Sequence, residues 1–288
     1  MPSGILIVDK PQGWTSMDVC AKLRGVLGER RIGHGGTLDP MATGVLPVFV
    51  GRATRGVEYA VNGDKEYLAG LRLGVTTDTQ DITGTVLERH PVSGVRERLD
   101  EVLNGFRGHI AQLPPMYSAI KVGGRKLYEL ARKGKEIKRV PRQVHIHSLQ
   151  VEGCPAPDLI LLRVACSKGT YVRTLCHDIG QRLGCGGCLD SLRRTMAAGF
   201  SEGEALTMEQ ILEAEQPVSL LSPIDRCFAH LPALTMTAAQ SRCVRNGRAF
   251  TWQGEPGQYR VYDPEGEFLA LAMVEGETLR TVKSFFAV

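Results

Sequence analysis

The chain has 288 residues, of which 43% are hydrophobic and 23% are charged, and its formal net charge is +4. This composition is typical of a soluble globular protein with one large or two ordinary domains. The longest apolar runs are too short to cross a bilayer and the N-terminus lacks the pattern of a secretion signal, so we expect a cytoplasmic protein with no membrane contact.

The N-terminal elements are predicted to be a buried strand at 4–9 and an amphipathic helix. Thr15 and Asp18 form a capping-box pattern, and an apolar stripe at 19–27 follows it. An apolar run at 45–50 predicts a second strand despite Pro47. The remaining predicted elements of this part are strands at 67–73, 85–88, 144–151 and 159–166, and helices at 95–103, 172–183 and from 207 onward.

A glycine-rich loop at 33–44 lies between the first helix and the second strand. It contains four glycines and one acidic side chain, Asp39, followed by Pro40. Such a loop can hold a carboxylate beside an open backbone surface, as a nucleophile or a general base requires. The alternative is that Asp39 caps a short helix with Pro40 at its first position. The local residues alone do not choose between these interpretations.

Basic residues are concentrated between 121 and 142, where nine of them face only two acidic residues. The stretch also contains glycines and one short apolar helical pattern, so we interpret 115–142 as a mobile, basic insertion. Such a surface favours a polyanion, with phosphates as the usual partner. The alternative is a solvated helix face. The side chains expected to contact an RNA backbone are Lys121, Arg125, Lys126, Arg132, Lys133 and Arg142.

Eight cysteines follow no regular spacing, and we predict reduced thiols that pack as small hydrophobic groups. Cys185 and Cys188 form a CxxC pair, but a structural zinc site needs a second ligand pair that the sequence lacks. We therefore predict no metal site and no cofactor.

The texture changes near residue 231, where short apolar runs alternate with Gly and Pro turns. This pattern predicts a small, mostly β domain, and we place the boundary between 1–228 and 229–288. Its basic and acidic side chains are balanced in number, so we expect only a supporting RNA contact there. The N-terminal domain mixes strands and helices irregularly, which predicts an α+β fold with a mixed, largely antiparallel sheet and flanking helices.

Five motifs, in order and with appropriate spacing, resemble those of the TruB family of stand-alone bacterial tRNA pseudouridine-55 synthases. They are residues 10–16 (KPQGWTS), 33–40 (GHGGTLDP), 65–67 (KEY), 167–174 (SKGTYVRT) and 192–195 (LRRT). The resemblance covers nearly the whole chain. One departure is Cys188, where many relatives would have histidine.

The resemblance implies a pseudouridine synthase fold followed by a β-barrel-like PUA domain. It also implies that Asp39 is catalytic, that Tyr67 stacks on the target base and that Arg173 pairs with Asp39. His34 would hold displaced nucleotides and Leu192 would pack in the base pocket. From the residues alone, Tyr67 could be a half-buried strand tyrosine and Arg173 a surface charge. Tyr171, beside Arg173, could be a core residue, and we favour a wall of the pocket.

The implied activity is the isomerisation of uridine 55 in the T-loop of tRNA through a flipped-out nucleotide. This reaction consumes neither redox equivalents nor ATP, so it fits a chain without a phosphate-binding loop. The basic insertion matches the segment that closes over the T-loop in this family, and it argues for an enzyme without an obligate protein partner, expected to be a monomer. The alternatives are a non-catalytic tRNA-binding or folding protein and a glycosidase-type hydrolase. The hydrolase usually needs paired carboxylates, and Asp39 has no acidic neighbour in its motif.

Overall fold

The computed structural model describes residues 1–118 and 120–286, apart from the side chains of Lys121 and Lys126. The strands are β1 (Gly4–Lys10), β2 (Ile32–His34), β3 (Thr43–Val50), β4 (Lys65–Leu73), β5 (Val75–Thr77), β6 (Val86–Arg89), β7 (Gly108–Gln112), β8 (Lys121–Val122), β9 (Arg125–Lys126), β10 (Arg142–Ala156), β11 (Leu159–Cys166), β12 (Gly187–Ala197), β13 (Phe200–Ser201), β14 (Leu206–Thr207), β15 (Ala233–Thr235), β16 (Phe250–Thr251), β17 (Gly257–Tyr262), β18 (Phe268–Glu275) and β19 (Thr278–Ser284). The α-helices are α1 (Ser16–Leu27), α2 (Val57–Asn62), α3 (Val95–Asn104), α4 (Leu127–Ala131), α5 (Val172–Leu183), α6 (Met208–Glu213) and α7 (Ala238–Arg245).

The large sheet is mixed and mainly antiparallel, in the order β14-β1-β3-β12-β4-β11-β10-β7. Its parallel pairs are β1 with β14 and β3 with β12. Strands β3 and β4, which flank the central β12, are apolar over most of their length because neighbouring strands and helices cover them. The α+β prediction with a mixed, largely antiparallel sheet is therefore confirmed.

Two apolar clusters pack the helices of this domain against the sheet. The larger cluster joins α3 and α5 to β4, β10, β11 and β12, and it includes Leu38 and Ala42 of the glycine loop. The second joins α1 and α6 to β1 and β3. The loop at 33–44 thus lies where the two helical layers meet, since Ser16 at the start of α1 exchanges hydrogen bonds with the backbone of Leu38.

The ends of α1 follow from its sequence. The Thr15 hydroxyl accepts from the Asp18 amide and the Asp18 carboxylate accepts from the Thr15 amide, which completes the predicted capping box. The helix ends at Gly28, whose φ of 61° is left-handed. In α5, by contrast, Tyr171 offers no side-chain cap, and the amide of Gln112 instead clamps the backbone N–H and C=O of Tyr171 at 2.8 and 3.0 Å.

The C-terminal residues form a separate five-stranded sheet in the order β15-β17-β18-β19-β16, covered by α7. Phe228 and Phe285 pack together beside Tyr59, so aromatic side chains join this sheet to the N-terminal domain. Arg52 donates to the carbonyl of Phe285 at 3.1 Å. Among the residues that the structure describes, no helix is long and apolar enough to cross a membrane.

Helix α5 approaches β12 so closely that Gly180 has no room for a side chain. A Cβ there would overlap the backbone of Gly186 and Gly187, whereas a Cβ at the helical Gly25 of α1 would have no neighbour within 4 Å. Because both glycines lie within helices, a comparison of substitutions at the two positions distinguishes the effect of close packing from the effect of helix propensity.

We predict that Gly180→Ala lowers the free energy of unfolding by at least about 2 kcal/mol, because the backbones must move apart. The matched Gly25→Ala should raise it by about 0.5–1 kcal/mol, through the better helix propensity of alanine. Urea unfolding of both variants checks the contrast. Equal effects of the two substitutions would contradict the close approach.

Candidate active site

The glycine loop presents Asp39 without forming a helix. The Asp39 carbonyl accepts from the Ala42 amide at 3.0 Å in a single turn, and the chain then enters β3 directly. The loop is fixed on the opposite side by the Gly13 amide, which donates to the Pro40 carbonyl at 2.7 Å. The helix-cap interpretation of Asp39 is therefore wrong, because the residues after Pro40 do not continue as a helix.

Two glycines of this loop are required by close contacts within the protein. A Cβ at Gly35 would lie 2.8 Å from the Cβ of Ala60, and one at Gly44 would overlap the backbone carbonyl of Arg194. Gly44 also has a φ of 97°, which is unfavourable for other residues. These glycines thus let the loop pack tightly on its support.

Arg173 lies in the first turn of α5 and pairs with Asp39, with Nε 3.0 Å from the carboxylate Oδ2. The Asp39 side chain is 39% exposed, whereas that of Arg173 is only 8% exposed. A plain surface charge is thus excluded for Arg173. The guanidinium also donates to the carbonyls of Thr79 at 3.2 Å and Tyr117 at 2.7 Å.

A second carboxylate, Asp81, holds the other side of Arg173 at 3.3 Å from Nη1. It accepts from the hydroxyls of Thr79 and Thr83 at 2.8 and 2.6 Å, and its side chain is 7% exposed. Sequence reasoning missed this residue. The available signal was a run of threonines and aspartates at 76–85 between two strand-like segments.

The Asp39–Arg173–Asp81 arrangement differs from the paired carboxylates of a glycosidase. The guanidinium stands between the two acids, and Asp81 is buried and occupied by two hydroxyls. Only Asp39 is open to a substrate. The expectation that Asp39 has no acidic neighbour holds for its motif but not in space, and the geometry still disfavours hydrolysis by two accessible carboxylates.

Burial sets the proton affinity of Asp39. It raises the pKa of this carboxyl above its ordinary value, while Arg173 opposes the shift, the charge of Asp81 adds to it and Lys10 reduces it. Lys10 is itself buried, which lowers its pKa to about 8, and its Nζ donates to the carbonyls of Pro11 and Trp14. A carboxylate with a raised pKa is a stronger base and nucleophile than a free aspartate.

Tyr67 and Leu192 lie in the same apolar cluster as Leu38, next to Asp39 in the loop. Both side chains are almost buried, and burial raises the pKa of the Tyr67 hydroxyl. Tyr67 is on the predicted strand β4, where it lies directly opposite Arg194 of β12.

His34 and Tyr171 lie at the margins of the site. His34 ends β2, and its Nδ1 has no hydrogen-bond partner among the described residues. Burial, with the charge of Arg194, lowers the pKa of His34, which favours the neutral ring. Tyr171 is partly buried, and its backbone is held by the amide of Gln112 where the basic insertion leaves β7.

The basic insertion leaves the sheet after β7 and returns at β10. We call residues 113–118, which follow β7, the root of the insertion. It contains the β8–β9 hairpin and α4, and Arg139 ties its end to its start by donating to the Pro114 carbonyl at 3.1 Å. Arg125, Arg132, Lys133 and Arg142 are exposed, and Arg132 lies over the Tyr128 ring. The predicted side-chain contacts of Lys121 and Lys126 lie outside the described residues.

The cysteine pair does not build a metal centre in the described part of the chain. Cys185 and Cys188 are buried free thiols, and burial raises the pKa of Cys188 to about 11. Within residues 1–118 and 120–286, no group of three or more His, Cys, Asp or Glu side chains has an arrangement that could hold a metal ion.

Family models match almost the whole chain in three consecutive parts. The TruB family pseudouridylate synthase N-terminal domain matches residues 24–172, the tRNA pseudouridylate synthase B C-terminal domain matches 173–229, and the tRNA pseudouridine synthase II C-terminal model matches 231–286.

Curated relatives are similar over nearly their full length. The tRNA pseudouridine synthase B of Azoarcus sp. (strain BH72) is 45% identical over 281 residues, covering 96% of this chain and 93% of the relative. That of Clostridium kluyveri is 40% identical over 288 residues, covering 98% and 99%.

Solved structures agree with the fold. A chain of a Cbf5-Nop10-Gar1 complex has a TM-score of 0.73 at 26% identity, covering 98% of this chain and 85% of that chain. A chain of an H/ACA RNP bound to a substrate RNA containing 2′-deoxyuridine has a TM-score of 0.74 at 24% identity, covering 99% and 85%. The chain described here therefore belongs to the TruB family of pseudouridylate synthases.

Proposed function

We propose that this protein isomerises uridine to pseudouridine at position 55 in the T-loop of tRNA, with Asp39 as the catalytic carboxylate. The observation that carries the proposal is that Asp39, the one exposed carboxylate of the Asp39–Arg173–Asp81 group, is held by an arginine that also binds the root of the basic insertion through the Tyr117 carbonyl. Its neighbour Leu38 packs in one apolar cluster with Tyr67 and Leu192. Relatives named tRNA pseudouridine synthase B support a tRNA substrate.

The reaction breaks the bond between N1 of uracil and C1′ of ribose, turns the base and joins C5 to C1′. C5 loses a proton and N1 gains one, so the product is an isomer and no electron donor is needed. Asp39 could attack C1′, attack C6 or remove the C2′ proton, and all three roles use its ionised form. Arg173 keeps that form available despite burial, since its charge lowers the pKa of Asp39.

The surrounding side chains suit a nucleotide that has left its stack. A flipped base loses stacking worth about 1–3 kcal/mol, and the ring of Tyr67 would restore part of it. Leu192 would pack against the base, and Tyr171 would form a second wall. His34, whose ring burial keeps neutral, would contact the displaced neighbours through the part of its ring that is not buried. A loop substrate lowers the cost of unstacking, which favours the T-loop over a duplex.

The remainder of the chain would hold the tRNA. The exposed basic side chains of the insertion would bind phosphates, and the domain at 229–288 would make a supporting contact as a PUA-like domain. In that domain Arg245 and Arg280 already pair with acidic side chains, and this weakens the electrostatic attraction between the domain and RNA. We further propose that the protein acts in the cytoplasm as a monomer without an obligate protein partner.

We predict that Asp39→Asn abolishes pseudouridine formation in an unmodified T-stem-loop RNA while the dissociation constant changes by less than about threefold. The amide has nearly the shape of the carboxylate but can neither attack carbon nor accept the proton. Chemical mapping of pseudouridine and a filter-binding titration measure the two quantities.

Asp64→Asn is the matched control, because Asp64 is an exposed aspartate that pairs with His147 and not with Arg173. It should retain wild-type turnover. Normal turnover by Asp39→Asn would exclude the proposed catalyst. If even the unaltered protein binds the RNA without converting it, the non-catalytic tRNA-binding alternative would be correct.

A second prediction concerns the basic insertion. The double variant Arg125→Glu, Lys133→Glu should weaken binding of the T-stem-loop and make it less sensitive to salt, because fewer counterions are released. Each lost phosphate contact should reduce the slope of log K against log salt by about 0.7–0.9. Titrations between low and moderate salt give the slope.

The control has the same change of net charge at two exposed basic residues outside the insertion, Lys22→Glu with Arg96→Glu. Its salt slope should stay close to that of the unaltered protein. If all three proteins had the same slope of log K against log salt, the insertion would not be part of the RNA interface.

A further inference from the structure

Arg194 is a charged residue in the centre of the large sheet. It lies on β12, directly opposite Gly44 on β3 and directly opposite Tyr67 on β4. Opposed residues of an antiparallel pair point to the same face, so the side chains of Arg194 and Tyr67 lie next to each other. Arg194 is only 1% exposed, which makes it one of the largest fully buried side chains of the protein.

The guanidinium is held by backbone carbonyls. Its Nε donates to the carbonyl of Val45 at 2.7 Å, and Nη2 donates to the carbonyl of Gly36 at 3.1 Å. Within the described part of the chain, no carboxylate forms an ion pair with it, whereas Arg193 next to it pairs with Asp9 and Glu202. Burial of an arginine without an acidic partner is costly, so a stability role alone explains it poorly.

The glycine loop packs closely against Arg194. Gly36 has a φ of 135°, which favours glycine, and its carbonyl accepts from Nη2 of Arg194. Gly44 has no room for a Cβ because the backbone of Arg194 occupies that space. Arg194 therefore supports the loop that carries Asp39, because it binds the carbonyl of Gly36, three residues before Asp39.

The charge of Arg194 also acts on groups around the predicted base pocket. It opposes the rise in the pKa of Tyr67 that burial causes, and it adds to the lowering of the pKa of His34 and of Lys65 by burial. Three groups around the pocket thus experience one fixed positive charge. In a dry site, a fixed charge of this kind acts more strongly than it would in water.

We propose that Arg194 is a positioning residue of the isomerisation: it fixes the Tyr67 ring and the Gly36 carbonyl, and its charge favours the electron-rich form of the detached uracil. The inference rests on the proposed function. When the bond between N1 and C1′ breaks, its electron pair goes to the base, whichever of the three roles Asp39 takes, until C5 bonds to C1′. A positive charge behind Tyr67 stabilises that distribution before the C5 proton is exchanged for a proton on N1.

The test compares Arg194→Met, Arg194→Lys and Arg193→Met with the unaltered protein. With enzyme in excess over T-stem-loop RNA, the single-turnover rate of Arg194→Met should fall by about 100-fold or more, the range for loss of one preorganised electrostatic group. Its dissociation constant for RNA should change by less than about threefold. Arg194→Lys retains the charge and should recover about tenfold of the loss, and Arg193→Met should stay within about twofold of wild type.

A fluorinated substrate separates electrostatic support from mere structure, even if Arg194→Met does not fold. Fluorine at C5 helps uracil to carry negative charge, so 5-fluorouridine in the target position needs less help from the protein. Because the shorter lysine side chain sets its charge farther from the Tyr67 ring, part of the remaining deficit of Arg194→Lys is electrostatic. That deficit, measured as disappearance of 5-fluorouridine in nuclease digests, should be at least about threefold smaller than with uridine. Thermal unfolding confirms that the variants compared are folded.

Two results would overturn the inference. One is single turnover by folded Arg194→Met within about threefold of wild type, and the other is an equal deficit of Arg194→Lys on uridine and 5-fluorouridine. Failure of the unaltered protein to convert the T-stem-loop at all would instead refute the proposed function. The two failures are therefore distinguishable in one set of measurements.

Discussion

The buried guanidinium of Arg173 is the interaction on which the rest of the site depends. Its donors reach Asp39, Asp81, and the carbonyls of Thr79 and Tyr117, which belong to three separate segments of the chain. Removing one partner of such a buried pair typically costs about 3–5 kcal/mol, because the other charge stays buried without compensation. The glycine loop, the 76–85 turn and the insertion root are thus held to one another through a single side chain.

The insertion and the Asp39–Arg173 pair are mechanically linked by this arrangement. Tyr117, at the root of the insertion, accepts from the same guanidinium that orients Asp39. Gln112, where the insertion leaves β7, clamps the backbone of Tyr171 just before α5. A displacement of the root would leave a buried N–H of Arg173 without its acceptor, and the side chain would have to move with it. The position of the insertion root and the geometry at Asp39 are therefore not independent.

Much of the fold could be predicted from local patterns. Helices α1 and α5 were predicted correctly, from the capping box at Thr15 and from the apolar stripe of each helix. Each of these signals involves residues that are close together in the sequence. The central strand β12 was not predicted. Its apolar residues are interrupted by Asp190 and Arg194, and a charge in a strand normally marks the solvent face, whereas Arg194 is covered by neighbouring strands on both sides.

The site could be predicted only where a residue carries its own signal. Asp39 could be singled out as a candidate because few other functional groups share its loop, but Asp81 could not, since its contact with Arg173 spans 92 positions of sequence. The same holds for Gly44, whose missing side chain is explained by the backbone of a strand 150 residues away. Local patterns reward apolar burial and solvated charge. Asp81, Arg173 and Arg194 break both rules, because they are charged and buried. Burial of a charge lowers the stability of a protein, and such residues are found mainly where the chemistry of a site needs a fixed charge.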